Sequence, residues 1–488
     1  MKGLKQSDSL NDKLGEECGV FGFYDNDGFD VAHMTYYALY ALQHRGQESA
    51  GMVLNKDREF SLYKDSGLVP EVFTERILNS LEGTISVGHV RYSTKGGNYR
   101  ENAQPLVNHY VKGTLALAHN GNLINSNILR DKLKKEGALF HTTMDSEVIM
   151  YEIAQARIQS KSIQEAVLKT MDTIKGSYSL VIMSPEKLIG ARDPHGIRPL
   201  SIGKIENSYV LSSETCAFEN IGATYIRDVE PGEVVWIDKD GLHSIKYENA
   251  DKKASICIFE HVYFARPDSV IQGASVYEMR KLMGKHLAKD FPVDADLVCG
   301  VPDSGLCAAI GYAEESGIPY GKGFIKNKYI GRTFIKPTQS ERETAVNIKL
   351  NILKKSVEGK RVVVVDDSIV RGTTSANIIR DLKKAGAKEV HFRISSPPFL
   401  WPCYFGTDIP SRDCLMGVKY SVDEMCKIIG ADSLGFLSMD ALGEIAQNLD
   451  CDYCHGCFTG KYPMDVSDVD HETELDGKYR NIKYEPTL

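Results

Sequence analysis

The sequence predicts an α+β domain followed by an α/β domain built on a mostly parallel sheet, and three observations carry that reading. At 488 residues the chain is longer than the roughly 100 to 200 residues of a single domain. From Cys18 to about residue 245 it alternates short apolar, strand-like runs with turn signals. Beyond the polar stretch Glu248-Asn249-Ala250-Asp251-Lys252-Lys253, buried-strand runs are separated by helical segments, the signature of a parallel sheet. The expected organisation is a leader over 1–17, a first domain over 18–250, a second over 251–450 and a C-terminal segment over 451–488.

The leader mixes Lys2, Lys5 and Lys13 with Asp8, Asp12, Glu16 and Glu17 around no apolar centre, so it is not a secretory signal. It reads as a propeptide. No apolar run approaches the ~18 residues that would span a bilayer, and a formal net charge of -8 opposes a general nucleic-acid-binding surface. The expected protein is soluble and cytoplasmic.

The first element after the leader is the apolar strand Cys18-Gly19-Val20-Phe21-Gly22. A cysteine made N-terminal pairs a thiol nucleophile with its own α-amino group, whose unperturbed pKa near ~8 suits it as the activating base. Four segments follow in order: Gln43-His44-Arg45-Gly46-Gln47-Glu48-Ser49-Ala50-Gly51, Gly88-His89-Val90-Arg91-Tyr92-Ser93-Thr94, Ala118-His119-Asn120-Gly121-Asn122 and Thr143-Met144-Asp145-Ser146-Glu147. Together with Cys18 they resemble the glutamine-amidotransferase branch of the N-terminal-nucleophile hydrolases, which implies an αββα sandwich. The strand-like runs Gly113 to Ala118 and Tyr178 to Met183 fall within it.

Amide hydrolysis passes through a tetrahedral oxyanion that needs preorganised donors. Asn120-Gly121, read as a turn, offers a side-chain amide beside a sterically open N–H and is assigned to the oxyanion hole. Free glutamine carries a carboxylate and an ammonium. Arg91 suits the first through its bidentate fork, and Asp145 suits the second.

In the second domain the clearest strand is Arg361-Val362-Val363-Val364-Val365, a β-branched run covered on both faces. It leads into Asp366-Asp367-Ser368-Ile369-Val370-Arg371-Gly372-Thr373-Thr374-Ser375, where ligands of such sheets bind and a helix N-terminus can cradle phosphate. This segment resembles the phosphoribosylpyrophosphate signature of type I phosphoribosyltransferases. The resemblance implies that Asp366 and Asp367 hold the ribose hydroxyls and help hold Mg2+, that Arg371, Gly372, Thr373, Thr374 and Ser375 grip the 5-phosphate, and that Ser368 also contacts phosphoribosylpyrophosphate. Gly300-Val301-Pro302-Asp303-Ser304-Gly305 has P-loop glycine spacing but continues Leu306-Cys307 where Lys and Ser or Thr are required. It fits the pyrophosphate loop of the resemblance instead, with Ser304 as a metal contact. Lys328 and Arg332, in Lys326-Asn327-Lys328-Tyr329-Ile330-Gly331-Arg332, match a loop that folds over the diphosphate and excludes water.

Taken over nearly the whole chain, these motifs resemble the glutamine phosphoribosylpyrophosphate amidotransferases, in their iron-sulfur-bearing branch. The resemblance implies transfer of ammonia from glutamine to C1 of phosphoribosylpyrophosphate at the start of purine synthesis. It also implies one Mg2+ per subunit, a homotetramer and inhibition by purine nucleotides, toward which Arg266-Pro267-Asp268-Ser269 can contribute. Two other classes stay open: an amidotransferase with a different ammonia acceptor, and a phosphoribosylpyrophosphate-binding regulator without turnover. The first is opposed by the Asp366 motif, and the second leaves Cys18, Asn120, Gly121 and Asp145 without a role.

Eleven cysteines in a cytoplasmic chain argue against a disulfide framework. Cys451-x-x-Cys454-x-x-Cys457 alone fits a zinc site or part of an iron-sulfur site, and Lys461 stands where a ferredoxin run would place its fourth cysteine. The resemblance implies Cys257, Cys403, Cys454 and Cys457 as ligands of one [4Fe-4S] cluster per subunit, leaving Cys451 as a surplus thiol and the register open. Cys216, Cys299, Cys307, Cys414 and Cys426 are read as packing residues.

Overall fold

The structure, a computed structural model, describes residues 17–92, 100–327, 350–407, 409, 411–447 and 449–467. The apolar run after Cys18 forms the strand Gly19–Tyr24, buried along its whole length. It lies at the centre of a seven-stranded sheet, between Ser208–Ser212 and Ile85–Arg91. A second sheet of six strands runs Gly241–Lys246, Glu233–Asp238, Leu188–Arg192, Gly176–Met183, Gly113–Leu123 and Leu106–Tyr110. Val20, Val53, Val87, Ala116, Ala118, Val181 and Leu211 form a dry core between the two sheets.

Helices cover the outer faces. Val31–Ala41 and Cys216–Ile221 pack on the seven-stranded sheet, and Ser126–Lys135, Asp145–Gln159 and Ile163–Thr170 on the six-stranded one. The result is the αββα sandwich.

One local expectation is corrected. Asn120 and Gly121 are not a turn but lie inside the strand Gly113–Leu123, paired with Ser179 and Tyr178. The strand continues because Gly121, at φ +144, lets the backbone of Ser177 approach; a Cβ there would lie 2.1 Å from the Ser177 oxygen. An Asn-Gly pair also reads as a hairpin turn when judged locally, and here sheet pairing overrides that preference.

The second domain holds four parallel strands in the order Leu297–Gly300, Arg361–Asp366, Glu389–Ile394 and Ser433–Phe436. Its valine run serves both faces by strand alternation: Val363 and Val365 enter one core and Val362 and Val364 the other. Helices Val276–Asp290 and Gly305–Ser316 cover the first face, and Thr373–Lys384 and Val422–Ile429 the second. The C-terminal segment returns to the domain junction, where Asp452–Cys454 pairs in parallel with Ser255–Cys257. Among the described residues no helix is long and apolar enough to cross a membrane.

Candidate functional site

Two pockets collect many of the residues singled out by sequence. The first is lined by Cys18, Arg91, Tyr92, Gln104, His119, Gly121, Asn122, Met144, Asp145 and Ser146. Cys18 stands at the entry to its strand and donates its thiol to the Tyr92 carbonyl at 3.4 Å. Burial pushes this thiol up to about 11, because a thiolate loses its hydration there. Its nitrogen is still an amide, bonded to Glu17, so no amine stands beside the thiol in the intact chain.

Glu17 is itself buried. Its carboxylate meets Arg198 at 2.8 Å and accepts from the Thr407 hydroxyl at 3.0 Å; burial pushes the carboxyl up to about 7.

Arg91 ends the strand Ile85–Arg91 almost wholly buried, with the Cys18 thiol, Glu48 and Asp145 as the acidic groups around its guanidinium. Asp145 opens the helix Asp145–Gln159, accepts from the Leu123 N–H at 2.9 Å and lies 3.5 Å from His119 Nδ1. A cation and an anion therefore flank the thiol in one pocket, the pairing an amino acid requires. Asn120 is brought close but does not line the wall. Its side-chain N–H2 points to the Ser213 hydroxyl at 3.5 Å, and that hydroxyl accepts from the Val20 N–H at 3.0 Å.

Sequence reasoning gave no role to Gln104 or His119. Gln104 brackets the His119 backbone, its Oε1 accepting from the His119 N–H at 2.8 Å and its Nε2 donating to the His119 carbonyl at 3.4 Å. No sequence spacing signals that bracket, since Gln104 lies in the loop before Leu106–Tyr110 and His119 inside the strand Gly113–Leu123.

The second pocket is lined by Asp366, Asp367, Ser368, Ile369, Val370, Gly372, Thr374 and Ser375. It opens beyond the carboxyl end of Arg361–Asp366, as parallel sheets favour. Asp367 accepts from the hydroxyls of Ser304 and Ser368, both at 2.6 Å, and its N–H donates to Asp366 Oδ1 at 3.0 Å. Gly372, at φ +85, caps the helix Thr373–Lys384; a Cβ there would meet Met416 Sδ at 2.5 Å. Thr373 and Arg371 belong to the same loop and helix start without lining the pocket. Lys328 and Arg332 lie outside the described residues.

The cysteines separate into two environments. Cys257, Cys403, Cys454 and Cys457 share one electrostatic neighbourhood, Arg198 acting on the first three, and burial pushes every one of these thiols up. Cys451 instead faces Arg192 and Asp228. None of the described cysteines is in a disulfide. Cys403 belongs to the turn whose next residues dock on the first domain: the Tyr404 carbonyl accepts from Asn122 at 2.8 Å and the Phe405 carbonyl from Ser177 at 2.7 Å. Cys216, Cys299 and Cys307 are buried, whereas Cys414 and Cys426 are partly exposed.

Fold and pockets together define a glutamine amidotransferase domain joined to a phosphoribosyltransferase domain. The glutamine amidotransferase domain family matches residues 89–220 and the phosphoribosyl transferase domain family residues 270–395. The amidophosphoribosyltransferase of Synechocystis sp. is 52% identical over 469 residues, covering 95% of this chain and 94% of that protein. The glutamine phosphoribosylpyrophosphate amidotransferase of B. subtilis, solved with ADP and GMP, superposes with a TM-score of 0.85 at 46% identity, covering 92% of this chain and 98% of the other. A structure described as the allosteric regulatory enzyme of purine biosynthesis gives a TM-score of 0.87 at 47% identity over 93% of this chain and 98% of the other. The chain belongs to the amidophosphoribosyltransferase family, whose members are pentosyltransferases.

Proposed function

We propose that this chain hydrolyses glutamine at Cys18 and passes the ammonia to C1 of phosphoribosylpyrophosphate, yielding 5-phosphoribosylamine, glutamate and pyrophosphate in the committing step of purine synthesis. The observation that carries the reading is the union of a Cys18, Arg91 and Asp145 pocket with an Asp366 and Asp367 pocket in one chain.

Removal of residues 1–17 would free the Cys18 amine. That amine takes the thiol proton, the sulfur attacks the glutamine carboxamide carbon, the same ammonium protonates the departing nitrogen so that it leaves as ammonia, and water then hydrolyses the Cys18 thioester to release glutamate and the free thiol. The Gly121 N–H and the Asn120 side chain are the proposed oxyanion donors, which requires Asn120 to reorient from Ser213. Arg91 and Asp145 bind the two charged ends of glutamine.

The Asp366 pocket suits a hard cation. It offers two adjacent carboxylates, Asp366 and Asp367, and Mg2+ takes one or two carboxylates and completes its shell with water and substrate phosphate. Asp366, Asp367 and Ser304 would hold it, and it would neutralise the leaving pyrophosphate. Arg371, Gly372, Thr373, Thr374 and Ser375 would cradle the 5-phosphate and Ser368 would also contact phosphoribosylpyrophosphate, with Lys328 and Arg332 contributing from outside the described residues.

The four coupled thiols suit a [4Fe-4S] cluster. They are free, Cys257, Cys454 and Cys457 being buried and Cys403 partly so; Cys257 and Cys454 stand opposite each other across a strand pair, and Arg198 supplies positive charge beside Cys257 and Cys403. Such a cluster would act structurally, tying the junction, the Cys403 turn and the C-terminal segment together. A cytoplasmic homotetramer completes the proposal, with inhibition by purine nucleotides supported by the ADP and GMP bound in the B. subtilis relative.

The test follows glutamate and pyrophosphate release with and without phosphoribosylpyrophosphate. Matched release of both products is expected. Glutamate release with no pyrophosphate, from glutamine or from ammonia, would remove the phosphoribosyl acceptor.

A further inference from the structure

A cysteine that becomes N-terminal loses one of the two peptide planes that orient it. Its remaining backbone tether is the Cys18 carbonyl, which belongs to the bond with Gly19 and survives loss of the leader. That carbonyl accepts from Arg45 Nε at 3.0 Å. The other edge of the Arg45 guanidinium is claimed by the second domain: Nη1 and Nη2 donate to the two carboxylate oxygens of Glu260 at 2.9 and 2.7 Å. Nη1 also reaches Glu214 at 2.5 Å. The side chains of Arg45, Glu214 and Glu260 have no exposed surface, so water cannot replace any partner.

Glu260 is held as firmly as it holds. It opens the π-helical turn Glu260–Phe264, whose carbonyls are pinned from the helix Val276–Asp290 by Arg280. Its Nε donates to the His261 carbonyl at 2.6 Å and its Nη2 to the Ala265 carbonyl at 2.8 Å. A planar guanidinium transmits orientation from one edge to the other because its five donors are fixed relative to one another. With Glu260 fixed, the direction of Arg45 Nε is fixed, and so is the carbonyl that sets the Cys18 backbone.

We propose that Glu260, from the second domain, is a positioning residue for the Cys18 nucleophile of the first, acting through Arg45. The proposal rests on Cys18 being that nucleophile. It makes glutamine cleavage depend on a correctly docked second domain, while the phosphoribosyl pocket, which does not contain Glu260 or Arg45, is left alone.

The experiment compares Glu260→Gln, Arg45→Lys and Cys18→Ala in the full chain. Glu260→Gln keeps the shape but removes the charge that orients the fork, and Arg45→Lys keeps the charge but cannot span Glu260 and the carbonyl together. Each should lower kcat for glutamine hydrolysis on the order of tenfold to a hundredfold, the scale of a small misplacement of a reacting group. The KM for glutamine should stay within about twofold because Arg91 and Asp145 are untouched. Ammonia-driven synthesis should also stay within about twofold. Wild-type glutamine kcat in both variants, with Cys18→Ala inactive, would overturn the positioning role and leave the nucleophile in place. Parallel loss of the glutamine and ammonia activities would overturn it as well, since a general prop of the fold would act that way. Glutamine hydrolysis by Cys18→Ala would instead remove the nucleophile on which the proposal stands. Should Glu260→Gln not fold, Arg45→Lys alone decides the question.

Discussion

Cys257 and Cys454 stand directly opposite each other in a parallel strand pair that joins the domain junction to the C-terminal segment. Nearly two hundred residues separate them in sequence. A group bound by both, and by Cys403 and Cys457, would close several long loops at once, and closing long loops is where a crosslink restricts the unfolded chain most.

Anaerobically purified protein should therefore be brown, with iron and sulfide in matching amounts. Cys454→Ser or Cys457→Ser should bleach it and lower its melting temperature, whereas Cys451→Ser, whose thiol faces Arg192, should keep the colour. Absorbance, iron analysis and thermal melts check this; a colourless, zinc-loaded, air-stable protein would contradict the cluster.

Cys18→Ala should retain the leader and lose glutamine-dependent synthesis, with ammonia-dependent synthesis surviving in part at alkaline pH. Mass spectrometry of the N-terminus reads the first outcome and product assays the second. Normal glutamate release by this variant would place the nucleophile elsewhere.

Asp366→Asn and Asp367→Asn remove charge with little change of volume. Both glutamine- and ammonia-driven synthesis should fall by tenfold or more, about 1.4 kcal/mol of lost transition-state stabilisation for each factor of ten. Unchanged ammonia-driven rates in both variants would move the phosphoribosyl site.

His89 is fully buried and donates from Nε2 to the His119 carbonyl at 3.1 Å; burial pushes its ring down to about 3. The unfolded chain takes up this proton near pH 6.5 and the folded chain does not, so stability falls as pH drops from about 6.5 toward 3. The slope is about 1.4 kcal/mol per pH unit for one proton. Melting temperatures of wild type and His89→Gln across that range should converge as pH falls; an unchanged difference would mean that His89 is protonated in the fold.

The order of motifs, the two strand patterns and the acid pair after a valine run were legible because each depends on near neighbours in the chain: alternation, turn chemistry and a strand's carboxyl end. Cys18, Arg91, Gly121 and Asp145, each weak alone, could be proposed from the order of their motifs and the resemblance that order carries, and the fold brings them to one pocket. What sequence could not decide was contact between distant elements. Asn120-Gly121 looks like a turn until its pairing with Ser179 and Tyr178 is known. The choice between Cys451 and its neighbours hangs on which thiols face Cys257 and Cys403, and a spacing of three leaves that open. Sequence reasoning assigned Arg45, Glu214 and Glu260 no individual role, and only the closing of two domains over them removes water and turns them into one buried array. Local pattern selects the elements because backbone geometry is local; tertiary packing assigns the charges because desolvation and pairing depend on which surfaces meet.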